Sequence, residues 1–398
     1  MRRLKLNISF VILLVISSLC LSAKTSSGSI PNLFDYVKDY GNLSFEEEGI
    51  NELDGAIFSM LSYINFEGTA AERNRDGISL RELSDRFFSS EFRYSIRNEN
   101  WDIWQSSIRM LETAARYKRY AGIKVKGYVS LLDEVAATQF SAIIFSLTPS
   151  LHFIAFRGTD TSIAGWRDNF LMTCENQTTT QMLALEYMER WGPRLPGTIH
   201  TGGHSKGANI AIFAAAKVNP EIQDRIEGIW NYEGPGFSRN PDMLERITAI
   251  DERIRTYIPE TSLVGVVMRS FSSYTAVKSE NKLFLQHDIF SWYVNGKEFE
   301  TVEETSRTSR IFDSAMNETI ENLTDTQFRI IINALFDSME DAGIHNVQDI
   351  ADNTGRFSAS LAESCLFSGK ETRKTLLYVS KCLARNFNQA RKEEKKHR

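Results

Sequence analysis

Cysteine is scarce in this chain. Four occur in 398 residues, Cys20, Cys174, Cys365 and Cys382, and three beyond the N-terminus are too few and too odd in number for a disulfide framework. A single Cys365–Cys382 bridge and free buried thiols both stay open. No cysteine–histidine spacing resembles a zinc site, so no metal and no other cofactor is expected. A basic field is missing too. The net charge is −5 and the pI about 5.8, and no basic patch is interleaved with aromatics, which argues against a nucleic-acid partner. Internal repeats and low-complexity tracts are also absent.

What is present starts at the N-terminus. Arg2, Arg3 and Lys5 precede an apolar run from Ile8 to Leu21, followed by Ser22-Ala23-Lys24. Basic, apolar and then small residues are the layout of a secretory signal. The run is short for a membrane span of about 20 residues. The expectation is a signal peptide over 1–23 and an exported protein, whether secreted, periplasmic or held at the cell surface. An uncleaved N-terminal membrane anchor is the alternative.

Hydrophobic residues make up 42% of the chain, ample for a core. Leu53, Ile57, Leu61 and Ile64 recur at helical spacing, and Trp101 to Tyr120 reads as an amphipathic helix. From Ile123 the period becomes that of strands: 123–129, 139–147, 151–156, 197–201, 228–232, 253–258, 275–279 and 282–286. Helical stretches 180–191 and 208–217 fall between them. Strands alternating with helices predict an α/β fold, with a mostly parallel sheet covered on both faces. Past about residue 300 polar and helical character takes over, with helices expected over 321–339, 346–352 and 371–386. We therefore expect one domain over 30–300 and a helical C-terminal extension over 301–398, ending in a charged, solvated tail.

The chemistry centres on Gly203-His204-Ser205-Lys206-Gly207. A strand precedes this Gly-x-Ser-x-Gly and a helix follows it, the context of a nucleophile elbow. Sharp turning demands small flanking residues, and a helix N-terminus places backbone N–H groups near a developing oxyanion. If Ser205 is the nucleophile, acid and histidine follow it in the chain. Of His287, His345 and His397, only His287 lies just past a strand in the main domain, and we take it as the general base. The acid should follow a strand between elbow and histidine. That points to Glu260, the single carboxylate in Tyr257 to Gly265. Ser262 holds a plausible position but lacks the charge, and Asp288 is too close to His287 in sequence. The turn Arg157-Gly158-Thr159, at the end of an earlier apolar strand, is a place for the rest of the oxyanion hole.

Together these stretches are similar to the class 3 (fungal-type) lipase pattern: Phe156-Arg157-Gly158-Thr159, Ser162-Ile163, Trp166 and Gly203-His204-Ser205-x-Gly207. They resemble more closely a group of bacterial α/β-hydrolase-like proteins, the Mbeg-like family. That resemblance rests on Asn51-Glu52-Leu53-Asp54, Gly203 to Asn209, Tyr232-Glu233-Gly234-Pro235-Gly236-Phe237, Pro259 to Gly265 and Gln286-His287-Asp288-Ile289-Phe290-Ser291-Trp292. It implies Ser205 as nucleophile and His287 as its base, with an oxyanion hole at the Lys206 N–H and the Thr159 position. It also implies a mobile lid over Ser162 to Phe170 with Trp166 as its main apolar residue. Two departures stand out: no aspartate in the expected acid stretch, and Lys206 where lipase elbows carry an apolar residue. The activity expected is that of a serine esterase or lipase acting on an acyl-ester small molecule or a lipid. A thioesterase, an amidase and a silent hydrolase-fold binding protein are the alternatives. Contact with a membrane surface stays open as a partner.

Overall fold

The computed structural model describes residues 30–69, 71, 76–89, 102–237, 239–268, 273–346 and 349–396. The expected signal or anchor over 1–23 lies outside them. Nine strands join in one sheet whose spatial order follows the chain. A short β1 (Ile78–Ser79) leads into the antiparallel meander β2 (Lys124–Asp133), β3 (Thr138–Thr148) and β4 (Leu151–Phe156). Then β5 (Thr198–His204), β6 (Ile226–Tyr232), β7 (Ile254–Pro259) and β8 (Thr275–Val277) run parallel to β4 and to one another. A two-stranded ribbon follows, β9 (Val294–Asn295) with β10 (Glu298–Phe299), and β11 (Thr301–Val302) closes the edge antiparallel to β8. The α/β fold is the expected one, parallel through the centre of its sheet.

Strand order decides where the helices go. Each step from β4 to β8 moves the same way along the sheet, and right-handed crossovers of one direction all land on one face. Helices α6 (Thr179–Trp191), α7 (Lys206–Lys217) and α8 (Pro241–Ile250) accordingly share one core with the sheet, through Met188, Phe213, Met243 and Ile247 against Ile154 and Ile229. The other face has to be covered by chain from elsewhere. That is the role of the helices before the sheet: α1 (Leu33–Tyr40), α2 (Glu52–Leu61), α3 (Leu80–Ser89) and α4 (Asp102–Ala114). Leu53, Phe58 and Leu111 pack there against Phe153, Tyr232 and Trp292.

The Asn51-Glu52-Leu53-Asp54 stretch fixes that second layer. Asn51 caps α2 by accepting from the N–H groups of Leu53 and Asp54, and Asp54 accepts from the Asn51 N–H in return. Asp54 is fully buried and also takes Arg119 Nε at 2.9 Å, Arg119 Nη2 at 2.5 Å and Tyr120 Oη at 2.6 Å. Arg119 spends its remaining donors on the carbonyls of Leu43, Ser44, Glu48 and Gly49. Glu52 reaches forward to the Phe299 N–H and the Tyr257 hydroxyl. Beginning and end of the domain are thus stitched together.

The extension consists of α9 (Arg307–Glu321), α10 (Asp325–Asp341), α11 (Asp349–Phe367) and α12 (Lys370–Lys396). The helix expected over 321–339 begins later, at Asp325, because Thr324 and Gln327 form a capping box that starts a new helix. The strand expected at 282–286 is instead a 3-10 turn, Leu283–His287. Leu283 sits at φ 53°, Asn281 Nδ2 donates to the Leu285 carbonyl, and the free edge of β8 goes to β11. Cys174 and Cys382 are free and buried, so the Cys365–Cys382 bridge does not form. No helix among the described residues is long and apolar enough to cross a membrane.

Candidate active site

Ser205 stands between β5 and α7 at φ 59°, ψ −131°, a conformation L residues rarely adopt outside strained functional turns. Its N–H donates to the Tyr232 carbonyl at 2.9 Å, which ties the elbow to the end of β6. The flanking glycines are required by space. A Cβ on Gly203 would overlap the Gly207 backbone, and one on Gly207 would overlap the Phe156 carbonyl oxygen. The sequence pattern is therefore the signature of a backbone crossing, with the serine raised above it. As first residue of α7, Lys206 has a backbone N–H with no partner inside the helix.

His287 ends the 3-10 turn beyond β8, and its Nδ1 lies 2.7 Å from Glu233 Oε2. A carboxylate only accepts, so Nδ1 carries the hydrogen, and in the neutral ring the lone pair is then on Nε2. The other oxygen of Glu233 accepts from the Ser262 hydroxyl at 2.7 Å. Glu233 is buried, at φ 53°, immediately after β6.

The carboxylate on His287 is therefore Glu233 and not Glu260. Glu260 is half-buried at the end of β7 and accepts from Gln286 Nε2 at 3.3 Å. It braces the loop that presents His287 without touching the ring. The carboxylate that meets the ring lies one strand earlier than expected: it follows β6, the strand next to the elbow, where the chain turns at once through Gly234-Pro235-Gly236. A carboxylate at the end of a buried strand and followed by such a turn was the available signal. Ser262, set aside for lack of charge, holds the carboxylate instead.

Ser205 and His287 are brought together through His204. Its Nε2 lies 2.7 Å from the His287 carbonyl oxygen, and the two imidazole rings are 4.4 Å apart. No hydrogen bond joins the Ser205 hydroxyl to the His287 ring among the described residues. His204 Nδ1 lies 2.9 Å from the hydroxyl of Tyr63, which packs so closely on Gly158 that a Cβ there would overlap it. Burial first, and the neighbouring His287 second, hold His204 well below the usual imidazole range. Burial likewise pushes the Tyr63 phenol up, so it stays protonated.

The Arg157-Gly158-Thr159 turn sits beside the elbow because Phe156 of β4 pairs with Gly203 of β5. Thr159 is buried, and its Oγ1 accepts from Asn169 Nδ2 at 2.5 Å. Asn169 belongs to helix α5 (Ile163–Leu171), the segment the family resemblance makes a mobile lid. In the structure that helix is tied on both of its sides. On its inner side Asp168 forms a fully buried ion pair with Lys206 Nζ at 2.9 Å and accepts from the Thr180 hydroxyl at 2.6 Å. Lys206 Nζ also donates to the backbone and side-chain oxygens of Gln139, both at 2.7 Å. Burial pulls the ammonium down from its usual value while Asp168 pulls it up. On the outer side Trp166 and Phe170 pack into the cluster formed by the C-terminal extension, and Arg167 donates to Asn333 of α10 at 2.8 Å. Trp166 is thus partly buried against the extension. The lysine departure in the elbow and the polarity of α5 explain each other.

The apolar surface near the base comes from another direction. Phe284 has its ring 5.6 Å from that of His287, and Leu283 beside it is 56% exposed. No group of histidine, cysteine and carboxylate side chains among the described residues could hold a metal ion.

Residues 114–337, more than half of the chain, match a family model described as Mbeg1-like. No curated protein matches. Among solved structures, the crystal structure of an M37 lipase is similar at 14% identity and a TM-score of 0.34, over 55% of this chain and 70% of the lipase chain.

Proposed function

The chain belongs to the Mbeg1-like family, and we propose that it is a serine hydrolase cleaving a carboxylic ester through an acyl-enzyme. One observation carries the reading: buried Glu233 holds the His287 ring at 2.7 Å, and His204, next to a serine held at positive φ in a strand-to-helix elbow, bonds the His287 backbone. Strain of this kind persists where function needs it, and a carboxylate on Nδ1 is what turns an imidazole into an oriented base.

In this mechanism His287 Nε2 takes the Ser205 proton as Oγ bonds to the ester carbonyl carbon, and the carbonyl electron pair moves to oxygen. The Lys206 N–H and a donor at the Thr159 position hold that oxyanion. The carbonyl re-forms, the bond to the alcohol oxygen breaks, and the imidazolium returns its proton to the leaving alkoxide. A water, deprotonated by His287 in the same way, then releases the acid. Glu233 keeps the Nδ1 proton throughout and stabilises the imidazolium. The substrate is a small, soluble acyl ester that meets Leu283 and Phe284 on its way to the base. The contacts that tie α5 to the elbow and to the extension favour this over interfacial opening. Residues 1–23 retain their reading as an export signal.

The test is turnover of short p-nitrophenyl esters and labelling by a fluorophosphonate. Ser205→Ala should abolish both. Undiminished labelling of the alanine variant would refute the nucleophile, and a sharp rise in rate above the substrate's solubility limit would refute the soluble-ester assignment.

A further inference from the structure

The hydrogen bonds around His204 have only one consistent direction. The His287 carbonyl is an acceptor, so His204 Nε2 must carry the hydrogen across the 2.7 Å separation. A neutral imidazole then presents Nδ1 as an acceptor, and the Tyr63 hydroxyl must donate to it over 2.9 Å. The Tyr63 oxygen itself sits directly against Gly158, where a Cβ would overlap it. The chain of donors therefore runs from Tyr63 through His204 to the backbone of His287. It starts against the Arg157-Gly158-Thr159 turn, passes through the residue next to Ser205 and ends on the residue proposed as the base.

From this we infer that Tyr63 and His204 are positioning residues for the hydrolytic reaction, setting the spacing between the oxyanion turn, the elbow serine and the base. The inference rests on the serine-hydrolase reading above. His287 is gripped at two points, its ring by Glu233 and its carbonyl by His204. The first fixes which nitrogen is basic. The second fixes where the ring stands along the elbow. The 3-10 turn that carries His287 starts at a positive-φ leucine that is 56% exposed, so a grip from the core side is what holds it to the serine. Tyr63 and His204 are both almost wholly buried, and neither has to touch substrate to do this. Misplacing a reacting group by 1 Å costs about 100-fold in rate, which is the scale at which such a tether acts.

The experiment uses the full protein and four variants. Ser205→Ala and a fluorophosphonate come first. Label on wild-type Ser205 supports the nucleophile, whereas unlabelled wild type overturns the hydrolase reading and this one with it. Given labelling, Tyr63→Phe, isosteric but without the donor, should lower kcat about 10-fold with KM unchanged. His204→Phe should lower it about 100-fold. His204→Gln, which keeps a side-chain N–H able to reach the His287 carbonyl, should recover most of the loss. Labelling rates should follow kcat. Full kcat in folded Tyr63→Phe and His204→Phe, or no difference between the glutamine and phenylalanine variants at position 204, would overturn the inference while leaving the hydrolase reading intact. The tautomer provides a readout that needs no variant: 15N spectra of the wild type should show His204 protonated on Nε2 alone. A proton on Nδ1 would reverse the chain and overturn the argument.

Discussion

Acid should unfold this protein over a narrow and predictable range. Three of its six histidines, His152, His200 and His204, are buried, and each uses a ring nitrogen as an acceptor. His152 Nε2–H donates to the Pro196 carbonyl, leaving Nδ1 for the Ser146 hydroxyl. His200 Nδ1 accepts from the Trp230 indole. His204 Nδ1 accepts from Tyr63. Burial lowers His152 and His200 to about 4, with Lys126 and Arg225 adding to the first and Arg255 to the second. Burial holds His204 well below the usual value.

Folded values depressed in this way leave stability intact above the unfolded value near 6.5. Stability is then lost as pH falls from there toward 4, because the unfolded chain takes up protons that the folded one refuses. Once the folded value lies well under 5, the cost at pH 5 is set by the unfolded value alone, about 2 kcal/mol per ring relative to pH 7.5. His152 and His200 together cost about 4 kcal/mol, and His204 adds in the same direction, against a whole stability of about 5–15 kcal/mol for many domains. Urea unfolding followed by tryptophan fluorescence should therefore show a large fall in midpoint between pH 7.5 and 5. Calorimetry in buffers of different ionisation enthalpy should show about two or more protons taken up per molecule unfolded at pH 5. A stability flat across that range, or uptake of fewer than one proton, would refute neutral burial of these rings.

Three substitutions test the rest of the architecture. Glu233→Gln should lower kcat by about 1,000- to 10,000-fold, the scale seen when the orienting carboxylate of a triad is neutralised, whereas Glu260→Gln should stay within about 10-fold of wild type; the reverse order in steady-state assays would restore Glu260 as the acid. Arg119→Met strands the Asp54 carboxylate among apolar and phenolic neighbours and should cost about 3–5 kcal/mol by denaturant titration, a figure that near-wild-type stability would contradict. Lys206→Met leaves Asp168 buried without its cation and should cost a similar amount, and adding Asp168→Leu should return a large part of it; strictly additive losses would mean that the two groups do not form one unit.

How much of this was readable from the chain follows from how far apart the interacting residues lie. The elbow is local. Gly203, Ser205 and Gly207 meet within one turn, so their spacing alone identifies it. His287 was reachable because so few histidines follow Ser205. The acid was not, because Glu233 and Glu260 both follow buried strands, and only the sheet order shows that β6 lies against the elbow strand. Tyr63 and His204 are 141 residues apart, with nothing in either neighbourhood to announce the other. The segment that forms α5 was expected as a lid from the family resemblance alone. Its Asp168, Asn169 and Arg167 have partners in the elbow, in the β4 turn and in the extension, and a side chain that looks solvated in one dimension is here satisfied in three.

The coverage of the sheet by helices that precede it has a consequence for how the chain folds. Leu53 and Phe58 are made early, yet their cluster is completed by Trp230, Tyr232, Trp292 and Phe299, and Glu52 waits for the Phe299 N–H. Synthesis runs at about 5–20 residues per second, so the interval between these segments is on the order of tens of seconds. During that time α2 has only part of its final surface, Phe145 and Phe153 among it, and its remaining apolar face stays open to solvent and to any holdase. Contacts of such long sequence separation slow folding. The cover over this face closes only when both ends of the domain are in hand.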